Sequence, residues 1–110
     1  MSRYDAQRLA DILAAATAIC EHVQRGDIED GLVFDAVRVR LIEIGEAVKA
    51  IDPDLLAREP DISWVDVAGM RDHLTHRYFD TAHTIVQATI DDDLPRLVAA
   101  AKRLLDHLTD

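Results

Sequence analysis

The sequence predicts an all-α fold, an antiparallel bundle of four to five helices, and three observations predict it. Only 4 Gly and 3 Pro interrupt the 110 residues, so long regular elements are expected. Alanine, leucine and arginine fill the stretches between those breaks, and all three favour helix. Apolar residues recur at steps of three and four along most of the chain, the spacing that lines one face of a helix. A chain of this length builds one core and is read as a single domain over residues 1–110.

The elements follow in order. Ser2 with Asp5 has the pattern of a capping box. Leu9, Ile12, Leu13, Ala16, Ile19, Cys20 and Val23 then form the apolar stripe of a first helix, in which Cys20 is expected to be a small buried hydrophobe. His22 stands near its end, where a cation favours the dipole, and Gly26 supplies a stop. A second helix begins between Asp27 and Leu32, with Phe34, Val37, Leu41, Ile44, Val48 and Ile51 as its stripe. Val39 and Ile42 fall outside that stripe, which fits either a seam between two copies or a helix buried at the centre of the bundle. Gly45 inside this helix costs roughly 1 kcal/mol against Ala, so close helix packing is expected there.

Asp52-Pro53 has the N-cap and first-turn residues of a short helix that Pro60 ends. Ser63 and Asp66 open a third long helix at Trp64, whose ring is expected to be a packing anchor. A further helix is expected from near Asp80, with Ile85, Val86 and Ile90 as its apolar face. Asp93-Leu94-Pro95 reads as the start of the last helix, capped by the carboxylates of Asp91, Asp92 and Asp93. Its stripe is Leu94, Leu97, Val98, Ala101, Leu104, Leu105 and Leu108, with His107 near its end.

Composition excludes several classes. With 49% hydrophobic and 30% charged residues the chain is globular rather than disordered. One cysteine rules out an internal disulfide and a cysteine-based zinc knuckle. The chain has no apolar run long enough for a membrane span, and its N-terminus has no signal-peptide core, so a cytoplasmic protein is expected. The formal charge of −9 argues against non-specific nucleic-acid binding. A role on RNA therefore needs a local positive patch, or two patches brought together by a dimer.

Such a patch exists. Arg71-Asp72-His73-Leu74-Thr75-His76-Arg77-Tyr78 gathers two Arg, two His and a Tyr within an acidic chain. Arg71 falls in the middle of the face shared by Trp64, Val67, Ala68 and Leu74. A guanidinium there pairs with a carboxylate such as Glu43 or Glu46, snorkels to water, or points into a cleft that takes an anion such as phosphate. An unperturbed imidazole changes charge near neutrality, so a histidine at position 76 suits proton transfer, and Asp72 one turn earlier could hold its ring or favour the imidazolium. Arg71 and His76 lie about 140° apart around a regular helix, so one helix would not aim both at a single phosphate.

The string Arg71, four residues, His76, one residue, Tyr78 resembles the Arg-x4-His-x-Tyr motif of the HepT-like HEPN ribonuclease toxins. The resemblance extends over Gly45-Glu46-Ala47, the segment from Pro53 to Pro60, Ser63-Trp64, Ala68-Gly69-Met70-Arg71, Tyr78-Phe79 and Asp93-Leu94-Pro95-Arg96-Leu97, in the same order. It runs from about residue 30 to the C-terminus. What it implies is a HEPN-like homodimer acting as a metal-independent endoribonuclease on RNA, without a cofactor. Arg71 would stabilise the scissile phosphate, and His76 would act as general base or acid during attack by the ribose 2′-hydroxyl. Asp72, His73 and Arg77 would support the site or contact RNA. Tyr78 would be the residue to which a partner nucleotidyltransferase antitoxin of the MNT type adds AMP. The family often has an amide where this chain has Asp72, whose carboxylate would repel phosphate unless neutralised by Arg71, His73 or Arg77.

Two other readings are open. His73, His76 and Asp80 follow i, i+3, i+7 and could, with His83, ligate a metal in a helical-bundle hydrolase. Alternatively the chain is a non-catalytic dimeric binding subunit of a nucleotidyltransferase, which the net charge favours.

Overall fold

The computed structural model describes residues 3–76 and 83–109. Every regular element in them is helical. Helix α1 spans Arg3–Arg25, α2 Gly31–Lys49, α3 Pro53–Leu56, α4 Trp64–His76, α5 His83–Ala88 and α6 Leu94–Thr109, with a π-helical turn at Thr89–Asp93 between the last two. The extensive pairings are α6 on α1, α1 on α2 and α2 on α4. Helices α1 and α2 are thus the two inner ones, and the second apolar surface of α2 is only partly covered within the chain. Val37, Leu41, Ile44, Gly45 and Val48 are buried in it, Ile42 is half-buried against the core, and Val39 stays exposed.

The capping-box expectation for α1 rests on Ser2. Ser2 lies outside the described residues, and Asp5 is buried, where its Oδ1 accepts the backbone N–H of Asp52 at 3.3 Å. A first-turn carboxylate therefore fastens α1 to the entry of α3. The buried arc of α1 is Leu9, Ile12, Ala15, Ala16 and Ile19. That arc is centred near Ile12 and reaches round to Ala15, which leaves Leu13 and Cys20 at its opposite edge. Cys20 is exposed, not a core residue.

Gly26 does follow the end of α1, but no described glycine has positive φ, so it is not a left-handed cap. A Cβ there would meet Val33 Cγ2 at 3.0 Å, and close approach of the loop to α2 is the need it serves. Asp30 caps α2, accepting from the N–H groups of Leu32 and Val33. Asp52 caps α3 through the N–H of Asp54. Helix α3 ends at Leu56, and turn hydrogen bonds carry the chain on to Glu59, next to Pro60.

The last third departs most from expectation. No new helix begins at Leu94: backbone dihedrals at Ala88 and Leu94 are both right-handed helical, and α5, the π turn and α6 form one continuous run. Proline cannot donate to the carbonyl four residues earlier and clashes with it. A π turn just before Pro95 shifts the register to i→i+5 and so accommodates that ring inside a helix. Asp91, Asp92 and Asp93 consequently sit inside the run, and the π turn has no side-chain cap. Val86 and Ile90 are buried as expected, whereas Ile85 is 55% exposed. Among the described residues no helix is long and apolar enough to cross a membrane.

Candidate functional site

Helix α4 carries the residues predicted for the site; α2 packs on it, and α6 holds the loop that leads into it. At its start Ser63 Oγ donates to Asp66 Oδ2 at 2.7 Å, and the Ser63 carbonyl accepts the N–H of Val67. Trp64 is half-buried and its indole Nε1 donates to the Glu59 carbonyl at 3.1 Å, which confirms a packing role. Helix α6 grips the loop that leads in. Arg103 forms a bidentate pair with Glu59, with Nη2 to Oε1 at 2.6 Å, and Arg96 donates to the Asp61 carbonyl at 3.3 Å. The Arg103 hydrogen bonds hold the Glu59 carboxyl below its ordinary range and raise the guanidinium's own value.

Along the body of α4, Leu74 is 3% exposed and packs into the core, with Val67, Ala68 and Met70 half-buried against it. Helix α2 adds two long cations. Arg38 Nη1 donates to the Leu74 carbonyl at 3.3 Å across 36 residues of sequence, and Lys49 Nζ lies 3.7 Å from Asp72 Oδ1. Both contacts fall between or beside Arg71 and His76. Neither was visible in the sequence, because nothing local in α2 marks which of its cations reaches α4.

The backbone of Arg71–His76 forms the C-terminal turns of α4, which is helical through His76. The two positions are therefore about 140° apart around one helix. Asp72 is exposed and described to its carboxylate. The side chains of Arg71, His73 and His76 lie outside the described residues, as do Arg77, Tyr78 and Asp80. Neutralisation of Asp72 by Arg71, His73 or Arg77 falls on side chains outside the described residues; from another helix, Lys49 adds an ion pair to it. Of the two carboxylates nominated for Arg71, Glu43 is paired with Arg40 at 2.9 Å. His83, nominated as a fourth metal ligand, stacks on buried Phe34 with ring centroids 4.1 Å apart. Among the described residues no group of three His, Cys, Asp or Glu could hold a metal ion.

On another part of α4, an open cleft of about 800 Å³ runs between it and the α5–π–α6 run. Leu41, Ile62, Val65, Met70, Ile85 and Leu97 contribute its apolar lining. Val65 is 84% exposed there, and a Cβ at Gly69 would meet nothing within 4 Å.

The family described as Ribonuclease HepT-like matches residues 9–104, a span that holds α4 with its lead-in loop and the whole motif from Arg71 to Tyr78. The chain belongs to the HepT-like ribonuclease family. It is similar over 101 residues, at 34% identity, to the protein named "Putative RNase TTE0752" of Caldanaerobacter subterraneus subsp. tengcongensis, covering 88% of this chain and 90% of that relative. It is 33% identical over 108 residues to "Probable ribonuclease HepT" of Thermococcus cleftensis, covering 94% of this chain and 98% of that relative. No solved structure matches the chain. Membership in this family agrees with the resemblance drawn from the Arg71, His76 and Tyr78 spacing.

Proposed function

We propose that this protein is a metal-independent endoribonuclease, the toxin of a toxin–antitoxin pair, which works as a homodimer. The family match carries this reading, because it spans the helix on which Arg71 and His76 stand. The ribose 2′-hydroxyl attacks the adjacent phosphorus, and the bond to the 5′-oxygen breaks. His76 takes the proton from the attacking hydroxyl or gives one to the departing oxygen. Arg71 stabilises the negative charge that builds on the phosphoryl oxygens. The products are a 2′,3′-cyclic phosphate end and a 5′-hydroxyl end. His73 and Arg77 add positive charge for the RNA backbone.

A separation of about 140° on one regular helix supports the dimer, since Arg71 of one copy and His76 of the other can then face one phosphate. Exposed Val65 and Ile85 on the walls of the α4–α5 cleft supply apolar surface for such a seam. Regulation follows from the same region. An antitoxin of the nucleotidyltransferase class transfers AMP from ATP to the Tyr78 oxygen, releasing pyrophosphate, and the added phosphate repels RNA from the site.

The formal charge of −9 favours a second reading, a dimeric binding subunit that recruits substrate for a nucleotidyltransferase without cleaving RNA. Induction of wild type beside Arg71→Ala and His76→Ala separates them. Growth arrest with RNA fragments bearing cyclic phosphate, lost in both folded variants, is the expected result. Intact RNA from the induced wild type, or full toxicity of His76→Ala, would remove the ribonuclease reading in favour of the second.

A further inference from the structure

We propose that Lys49 is a positioning residue of the ribonuclease site: paired across helices with Asp72, it offsets the one carboxylate of the motif and so lets an RNA phosphate approach Arg71. The proposal rests on the ribonuclease reading and deepens it. Asp72 is the immediate neighbour of Arg71 and stands one helical turn before His76. Its side chain is 55% exposed, so its charge faces the solvent from which RNA arrives. A carboxylate in that place raises the energy of any anion brought beside it, and each cation held next to it lowers that cost. Lys49, in the last turn of α2, brings its Nζ to 3.7 Å from Asp72 Oδ1.

The geometry says what kind of contact this is. At 3.7 Å the pair lies outside hydrogen-bonding distance, so it acts through charge rather than by locking a side chain in one orientation. With Lys49 42% and Asp72 55% exposed, such a pair contributes little to folding stability. Its effect is on the local field. In a chain with 21 acidic and 12 basic residues besides histidine, the charge balance around the motif decides whether a polyanion is admitted. Small structural cost and a definite electrostatic role make the pair open to a clean test.

The test compares wild type, Lys49→Gln, Lys49→Arg, Asp72→Asn and the double variant Lys49→Gln/Asp72→Asn. Each is checked for folding by circular dichroism, and cleavage of an end-labelled, mixed-sequence oligoribonucleotide is followed at low and at physiological salt. Lys49→Gln is expected to raise KM roughly two- to fivefold with kcat nearly constant, and the difference shrinks as salt screens it. Lys49→Arg retains the wild-type KM, Asp72→Asn lowers it, and the double variant returns to the Asp72→Asn value. A Lys49→Gln enzyme with wild-type KM at low salt would overturn the proposal. So would a Lys49→Gln defect that persists undiminished in the Asp72→Asn background, which would assign Lys49 a direct contact with RNA. Failure of the wild type itself to cleave the probe refutes the ribonuclease reading, and is recognised before any variant is compared.

Discussion

Truncating Leu74 to alanine tests whether the helix that bears the site is held by the core or merely rests on it. Leu74 is 3% exposed and is the one residue of α4 classed as fully buried among those described, standing between Arg71 and His76. Removal of three buried carbons costs about 2.4 kcal/mol at roughly 0.8 kcal/mol per methylene. The cavity left behind raises the total to about 3–4 kcal/mol. With a urea slope of about 1.5 kcal/mol/M for a domain of this size, the midpoint falls by about 2 M. The thermal midpoint falls by roughly 10–15 °C. Far-ultraviolet circular dichroism in urea, at one fixed protomer concentration, reads the first number, and the concentration is held because any dimer links stability to it. A loss under about 1 kcal/mol would refute the reasoning. It would mean that α4 is not docked through Leu74 and that the Arg38 contact to the Leu74 carbonyl does not hold that turn in place.

Three further outcomes are expected. Asp5→Ala destabilises by about 1–2 kcal/mol, because the Asp52 N–H loses its buried acceptor, whereas Asp5→Asn keeps most of the stability; urea titration of both variants decides it. Glu59→Gln lowers the thermal midpoint at pH 7, since Arg103 holds the Glu59 carboxyl below its ordinary range. A lowered carboxyl value stabilises above the unfolded group's titration and loses that contribution as pH falls through the folded value, so melting curves of variant and wild type converge on acidification. Val65→Asp and Ile85→Asp each cost the isolated fold less than about 0.5 kcal/mol at such exposed positions. They are expected to halve the mass in analytical ultracentrifugation and to abolish RNA cleavage; an unchanged mass would place the dimer seam elsewhere.

What the sequence determined by itself is the part governed by local periodicity and capping. The stripes of α2 and α6, most of that of α1, a start of α2 between Asp27 and Leu32, the Asp52 and Ser63 starts and the Trp64 anchor all depend on neighbours within a turn or two, and each is found in place. The motif from Arg71 to Tyr78 was legible for the same reason, as a string of residue types on one segment. Tertiary structure decided the rest. Pro95 and the acidic run before it carry every local sign of a helix start, yet the packing of Val86, Ile90, Leu94 and Leu97 into one core favours a continuous helix, and a π turn absorbs the proline. Cys20 has the right spacing for the core but sits at the rim of an arc whose centre is set by which helices lie against α1. Likewise the charge on Asp72 is met from α2, by a lysine whose place beside it exists only once the two helices pack. Short-range rules select elements and caps because their energies are local. Which faces are buried, and which distant charges meet, follows from how those elements share a single core.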